Sequence, residues 1–175
     1  SQATTAGVVL LEAIRTEYDP GTELVRSLLP RLGQLRSASF RYQSRSARYD
    51  KVLAGEHVNM FDPALAGGAL FDLGVYCVHA MVTLFGEPTK VLAASVPVAS
   101  GVDGAGTAVA VYPHFTVTLD YSKITATTLP SEIQGEEATL VVDHIASPRV
   151  VRRVQFDGPE ETFTAPSEQH THSGS

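Results

Sequence analysis

The chain has 175 residues, enough for one domain with a sizeable core, and its 43% hydrophobic and 18% charged residues describe a globular chain rather than a disordered one. A formal net charge of −6 argues against a nucleic-acid footprint, and the tightest basic group, Arg149, Arg152 and Arg153, falls in a strand-like stretch as a solvated face. The single cysteine, Cys77, excludes an internal disulfide and fits a reducing compartment; no uninterrupted apolar run approaches the roughly 20 residues of a membrane span and no signal peptide opens the chain, so a cytoplasmic protein is expected.

In chain order, Gly7 precedes the apolar run Val8-Val9-Leu10-Leu11, which reads as a buried strand of a parallel sheet. Asp19-Pro20 supplies an N-cap and a first-turn proline, Leu24, Val25, Leu28 and Leu29 recur at helical spacing, and Pro30 and Gly33 end that helix. Residues 35–42 alternate as a strand. Residues 43–66 form the longest irregular stretch and hold Arg45, Arg48, Tyr49, Asp50, Lys51, His57, Asn59 and Asp62; loops of this length are often functional. From Gly67 to Leu84 the pattern is helical and mostly apolar, with Gly86 as the stop and Pro88 beyond it.

Short β-branched runs follow at 89–98, 106–112, 114–121, 123–128, 138–145, 149–156 and, more weakly, 161–165. Within 114–121, Phe115, Val117, Leu119 and Tyr121 share one face, and His114, Thr116, Thr118 and Asp120 the other. The tail 167–175 reads as unstructured. The fold class is α+β: helices first, then a large, open, mainly antiparallel sheet that they cover on one face.

The sharpest local signal is a stripe on the 67–84 helix. At about 100° per residue, Asp72, Tyr76, His79 and Thr83 align, while Leu70, Leu73, Cys77, Ala80, Met81 and Leu84 lie away from them and Phe71, Val75, Val78 and Val82 fill the flank. A helix apolar almost all round is expected to be largely buried. Burying a carboxylate, a phenol and an imidazole without partners would cost several kcal/mol. The stripe is therefore either a hydrogen-bonded part of the core or the wall of a polar site. In the second reading Tyr76 is an acid/base, exchanging a proton with a carbonyl or an alcohol, Asp72 orients a substrate or a cationic partner, and His79 bonds a substrate hydroxyl. Geometry alone leaves both readings open.

The run Gly-Gly-Ala-Leu-Phe-Asp-Leu-Gly-Val-Tyr-Cys-Val-His at 67–79, followed by Leu-Phe-Gly-Glu-Pro at 84–88, resembles the signature helix of the glucose–fructose oxidoreductase / inositol dehydrogenase (Gfo/Idh/MocA) family. Leu-Leu-Glu-Ala at 10–13 is similar to the strand that closes that family's Rossmann domain, and Gly135 with Ala138-Thr139-Leu140 to its late-sheet pattern. The resemblance implies the C-terminal domain of a two-domain Rossmann-type dehydrogenase: 1–13 a remnant of the last Rossmann strand and crossover, 14–166 the substrate and oligomerisation domain, 167–175 a disordered tail. It implies Asp72 as the family's aspartate and Tyr76 as its acid/base, NAD or NADP as cofactor in the intact protein, a sugar or polyol substrate, and a homo-oligomer built through the sheet.

The family's Gly-x-Gly-x-x-Gly turn and its Glu-Lys-Pro motif, whose lysine would sit by the nicotinamide, do not occur in these residues, and Arg15 and Glu17 replace its frequent Trp-x-Arg. The expectation is thus the substrate-binding, catalytic half of an NAD(P)-dependent oxidoreductase, inactive and free of bound cofactor on its own; the alternative is a non-catalytic sugar-binding or dimerisation module. Arg48, Tyr49, Asp50 and Asn59 are read either as a surface ion-pair loop or as substrate contacts, because a polyol needs several convergent donors and acceptors. His170-x-His172 lacks a third ligand, so no metal is expected, and Cys77 reads as a small core residue.

Overall fold

The computed structural model describes residues 19–166, so the Val8–Leu11 run, Glu12, Arg15, Glu17 and the 167–175 tail with His170 and His172 lie outside the described residues. Asp19 opens helix α1 (Pro20–Leu28): its Oδ1 accepts from the Gly21 backbone N–H at 2.8 Å, the N-cap that the Asp-Pro pair predicts. A 3₁₀ turn (Leu29–Leu32) leads into β1 (Leu35–Gln43). The irregular stretch contains the short helix α2 (Tyr49–Leu53) and single turns at Asn59–Phe61 and Pro63–Leu65. One turn of π-helix (Leu70–Gly74) then runs directly into α3 (Val75–Phe85). The remaining strands are β2 (Lys90–Pro97), β3 (Asp103–Val111), β4 (Thr116–Ser122), β5 (Ser131–Gly135), β6 (Ala138–Val142), β7 (Val150–Gln155) and β8 (Glu160–Thr164).

All eight strands make one sheet in the order β2-β3-β4-β1-β5-β6-β7-β8. Among the described residues only the β1–β4 pair is parallel, so the sheet is mixed but mainly antiparallel, and β1, the first of the described strands, lies at its centre. Followed across the ladders, Val91, Ala110, Val117, Ala38, Ile133 and Leu140 form one row on the face that the helices cover. All but the edge residue Val91 are buried there, with Val25 and Leu28 of α1 and Cys77, Ala80 and Met81 of α3 closing the core above them. The Val117, Leu119 and Tyr121 stripe thus meets the helices. The opposite row, Leu92, Val109, Thr118, Ser39, Glu132, Val141, Arg152 and Thr162, lies on the uncovered face.

Two expectations need correction. Residues 123–128 are not a strand. The Ser122 hydroxyl accepts from the backbone N–H groups of Ile124 and Thr125 at 3.2 and 2.9 Å, which turns the chain out of the sheet, and pairing resumes only at Ser131. Nor is the signature helix buried all round: Phe71 is 67% exposed, and Val78 and Val82 also face outward, because the sheet takes only the Cys77–Ala80–Met81 side. Taken with the turn before it, Pro63–Phe85 is long and apolar enough to cross a membrane by length and composition alone, a property that counting uninterrupted apolar runs did not reveal. Its buried side rests on the sheet.

Candidate active site

Alternation along β1 puts Tyr42 on the covered face with Ala38 and Phe40, at the strand's C-terminal end. Its ring lies 5.7 Å from that of Tyr76 on α3 and meets His144, just after β6, edge-on at 4.7 Å. These three rings, with Asp19, Ala146, Ser147 and Arg149, line a cavity of about 380 Å³. Asp19 is placed by its N-cap role, and its second oxygen accepts from the Ser147 hydroxyl at 2.7 Å. Arg149 stands 3.9 Å from the same carboxylate, and its backbone N–H donates to Asp143 at 3.0 Å. A second cavity of about 460 Å³ shares Tyr42 and His144 and continues past Gln43, Thr127, Thr128, Ser131 and Asp143. Burial, followed by the neighbouring Tyr76 and Asp72, holds the Tyr42 phenol above its ordinary range, so Tyr42 enters any reaction protonated.

Asp72 sits on the π turn, a geometry that recurs at functional sites. The turn is fastened at both ends. Asp103 at the start of β3 accepts from the Leu70 backbone N–H at 2.7 Å, and Gly74 packs against the Tyr121 ring so closely that a Cβ there would lie 2.9 Å from Tyr121 Cγ. The Asp72 carboxylate pairs with the ammonium of Lys123, the first residue after β4. The pair is lopsided: the lysine side chain is 2% exposed and the aspartate 55%. Lys123 Nζ also lies 5.6 Å from the centre of the Phe61 ring.

This is a wall of phenols, an imidazole, a hydroxyl, a carboxylate and a guanidinium, with a charge-compensated aspartate one turn before a tyrosine on a single helix. The family model for the GFO/IDH/MocA C-terminal domain matches residues 25–141. The chain belongs to the Gfo/Idh/MocA family. Among curated relatives of this Gfo/Idh/MocA chain are the uncharacterized oxidoreductase YgjR of Escherichia coli, 41% identical over 94% of the chain and 50% of that protein, and the scyllo-inositol 2-dehydrogenase (NADP(+)) IolU of Bacillus subtilis, 40% identical over 95% and 51%. The chain therefore spans about half the length of the curated relatives it matches. In fold it is similar to KijD10, a 3-ketoreductase from Actinomadura kijaniata, with a TM-score of 0.78 at 23% identity over 94% of the chain and 51% of that structure.

Within this Gfo/Idh/MocA domain, Asp72 and Tyr76 share one helix face, and Tyr76 reaches the cavity. His79 is half-buried one turn further on and is not among the cavity's lining residues. Arg48, Tyr49 and Asn59 do not line it either. Arg48 is exposed at the start of α2; Tyr49 packs at 5.9 Å against Phe61 with the Arg45 guanidinium over its ring; Asn59 opens a single turn whose carbonyl accepts from the Asp62 N–H. Their neighbours Arg45 and Asp50 form the surface ion pair that the plainer reading of this loop expects. Sequence reasoning missed Tyr42, His144, Asp19, Ser147 and Lys123. Strand alternation carried a signal for Tyr42 alone, since Ala38, Phe40 and Tyr42 share a face.

The cavity thus presents hydroxyl, imidazole, guanidinium and carboxylate groups that can donate and accept hydrogen bonds side by side. Among the described residues no glycine-rich turn joins a strand to a helix, and the link from β1 to α2, residues 44–48, carries no glycine.

Proposed function

We propose that this domain is the substrate-binding, catalytic half of an NAD(P)-dependent oxidoreductase acting on a sugar, a polyol or a related carbonyl compound, with the nucleotide held by a part of the protein outside these residues. The observation that carries the reading is Tyr76, which faces a polar cavity beside Tyr42 with Asp72 one turn earlier on the same helix. A nicotinamide, when bound, supplies or accepts the hydride. This chain's residues do the rest. Tyr76 Oη gives its proton to the substrate oxygen in reduction and takes it back in oxidation. Asp72 lies on the same face, where its carboxylate accepts from a substrate hydroxyl to orient it. The Ser147 hydroxyl, His144, Arg149 and the phenol of Tyr42 offer hydrogen bonds to further hydroxyls.

The relative IolU, named as an NADP-dependent scyllo-inositol dehydrogenase, supports both the polyol class and NADP as the first cofactor to try. The matched relatives bearing functional names are oxidoreductases, which weighs against a purely sugar-binding or dimerising module. The uncovered sheet face, whose central row carries only Glu132 and Arg152 as charges, supports self-association as the domain's second role.

The test is turnover by the full-length protein with NADP⁺ or NAD⁺ and a panel of inositols and aldoses. Tyr76→Phe is expected to lower kcat by about 10²–10⁴-fold, the usual worth of a placed proton donor. A folded Tyr76→Phe protein with wild-type turnover would remove Tyr76 from the chemistry.

A further inference from the structure

A lysine is almost never fully buried unless its charge is matched. Lys123 is the clearest buried cation near the cavity: its side chain is 2% exposed, and the charge is matched by Asp72, whose own side chain is 55% exposed. An ion pair of two surface groups would be equally accessible at both ends. Here the cation belongs to the core, and the carboxylate is the end presented to the outside.

Lys123 is itself rigidly placed. Its backbone N–H donates to the Gly104 carbonyl at 2.9 Å, its carbonyl accepts from the Ser46 N–H at 2.8 Å, and its ammonium lies 5.6 Å from the Phe61 ring centre. It thereby ties together the end of β4, the start of β3, the segment after β1 and the π turn. That turn has a second anchor in Asp103, which accepts from the Leu70 N–H at 2.7 Å. A π turn is a loosely determined geometry, and these two contacts from the sheet determine it.

We infer that Lys123 is a positioning residue for the reaction proposed above: its buried ammonium fixes the Asp72 carboxylate on the π turn, one helical turn before Tyr76. The inference rests on that reading of Asp72 and Tyr76. The charge matters because the phenols face this carboxylate. Asp72 acts on Tyr42 to disfavour its ionisation even with Lys123 in place, so the direction in which the carboxylate points bears on the phenols around it. The buried, paired cation holds that carboxylate in one orientation.

The experiment uses the full-length protein and four forms: wild type, Lys123→Met, Asp72→Asn and the double variant, with Tyr76→Phe as reference. Because Asp72 is half exposed, it can turn to solvent when the lysine is lost, so the fold should survive; Lys123→Gln, which keeps a donor without charge, is the second variant should Lys123→Met prove unstable. Lys123→Met is expected to lower kcat roughly 10- to 100-fold, the order of one charge-assisted hydrogen bond, with a smaller change in KM. It should add little to the loss already caused by Asp72→Asn, since both act through the same carboxylate. Without any cofactor, amide hydrogen exchange across residues 70–74 should speed up in Lys123→Met.

Wild-type kcat in Lys123→Met alongside an inactive Tyr76→Phe overturns the inference and leaves the assignment of Tyr76 standing. Tyr76→Phe as active as wild type overturns both. Losses that multiply in the double variant, or faster exchange with unchanged kcat, make Lys123 a structural group only and equally overturn the assignment.

Discussion

Cys77 is the plainest case of a side chain whose chemistry is decided by where the helix turns it. It faces the sheet from α3 with no exposed surface, and burial, followed by the charge of Asp120, pushes its thiol up to about 12. The thiolate is the reactive form, so native protein should react only slowly with iodoacetamide at neutral pH, and rapid labelling without unfolding would contradict the burial. The same shift has a signed effect on stability. In the unfolded chain the thiol ionises near its ordinary value of 9.0, whereas in the fold it stays protonated to about 12. Between those values the unfolded state binds fewer protons, so stability falls as pH rises. Cys77→Ala removes that slope: above about pH 9 its unfolding midpoint should fall less steeply than that of wild type, and parallel curves would argue against the shift. Of the candidate site, the Asp72–Tyr76 spacing stood out in the sequence because a helix repeats on a short period that can be counted. Tyr42, His144 and Lys123 did not, because one lies on β1 and the others follow β6 and β4, strands whose placement depends on sheet order. No local pattern encodes that β1 lies between β4 and β5.

At the level of elements, the signature helix depends on how closely its first turn can approach β4. Gly74 makes that approach: a Cβ added there would meet Tyr121 Cγ at 2.9 Å and Leu70 Cδ1 at 3.0 Å. Gly74→Ala gains about 1 kcal/mol of helix propensity but introduces overpacking that typically costs about 1–3 kcal/mol. A net loss of roughly 1 kcal/mol is expected in urea denaturation, and a variant more stable than wild type would show that the helix can ride up freely. The elements themselves were mostly legible. The N-cap at Asp19, β1, α3 and six of the seven later strand-like runs follow from capping residues and alternation, both local properties. The 123–128 run failed because β-branched residues say nothing about a serine hydroxyl that diverts the backbone just before them. The exposed flank of α3 was illegible for a related reason: composition reports how apolar a helix is, but not on how many sides something covers it.

For the whole molecule, the proposed self-association turns on the uncovered sheet face. Its central row runs through every strand from Leu92 to Thr162 and carries one acid, Glu132, and one base, Arg152. If two copies bury this face against each other, Val109→Lys, on β3 next to the edge strand, should convert a dimer into a monomer in sedimentation without loss of secondary structure. Unchanged association would exclude this face. The position of β1 carries a further consequence, for the birth of the chain. Ser39 contacts Thr118, a residue 79 positions later. At roughly 5–20 residues per second, a ribosome takes about 4–16 s to make that stretch. Throughout that interval the apolar strand around Phe40 has emerged without either of its sheet neighbours. The domain's central strand thus waits, unpaired, while two later strands are made, and until Ser131–Gly135 follows, the nascent chain carries an open edge at its own middle.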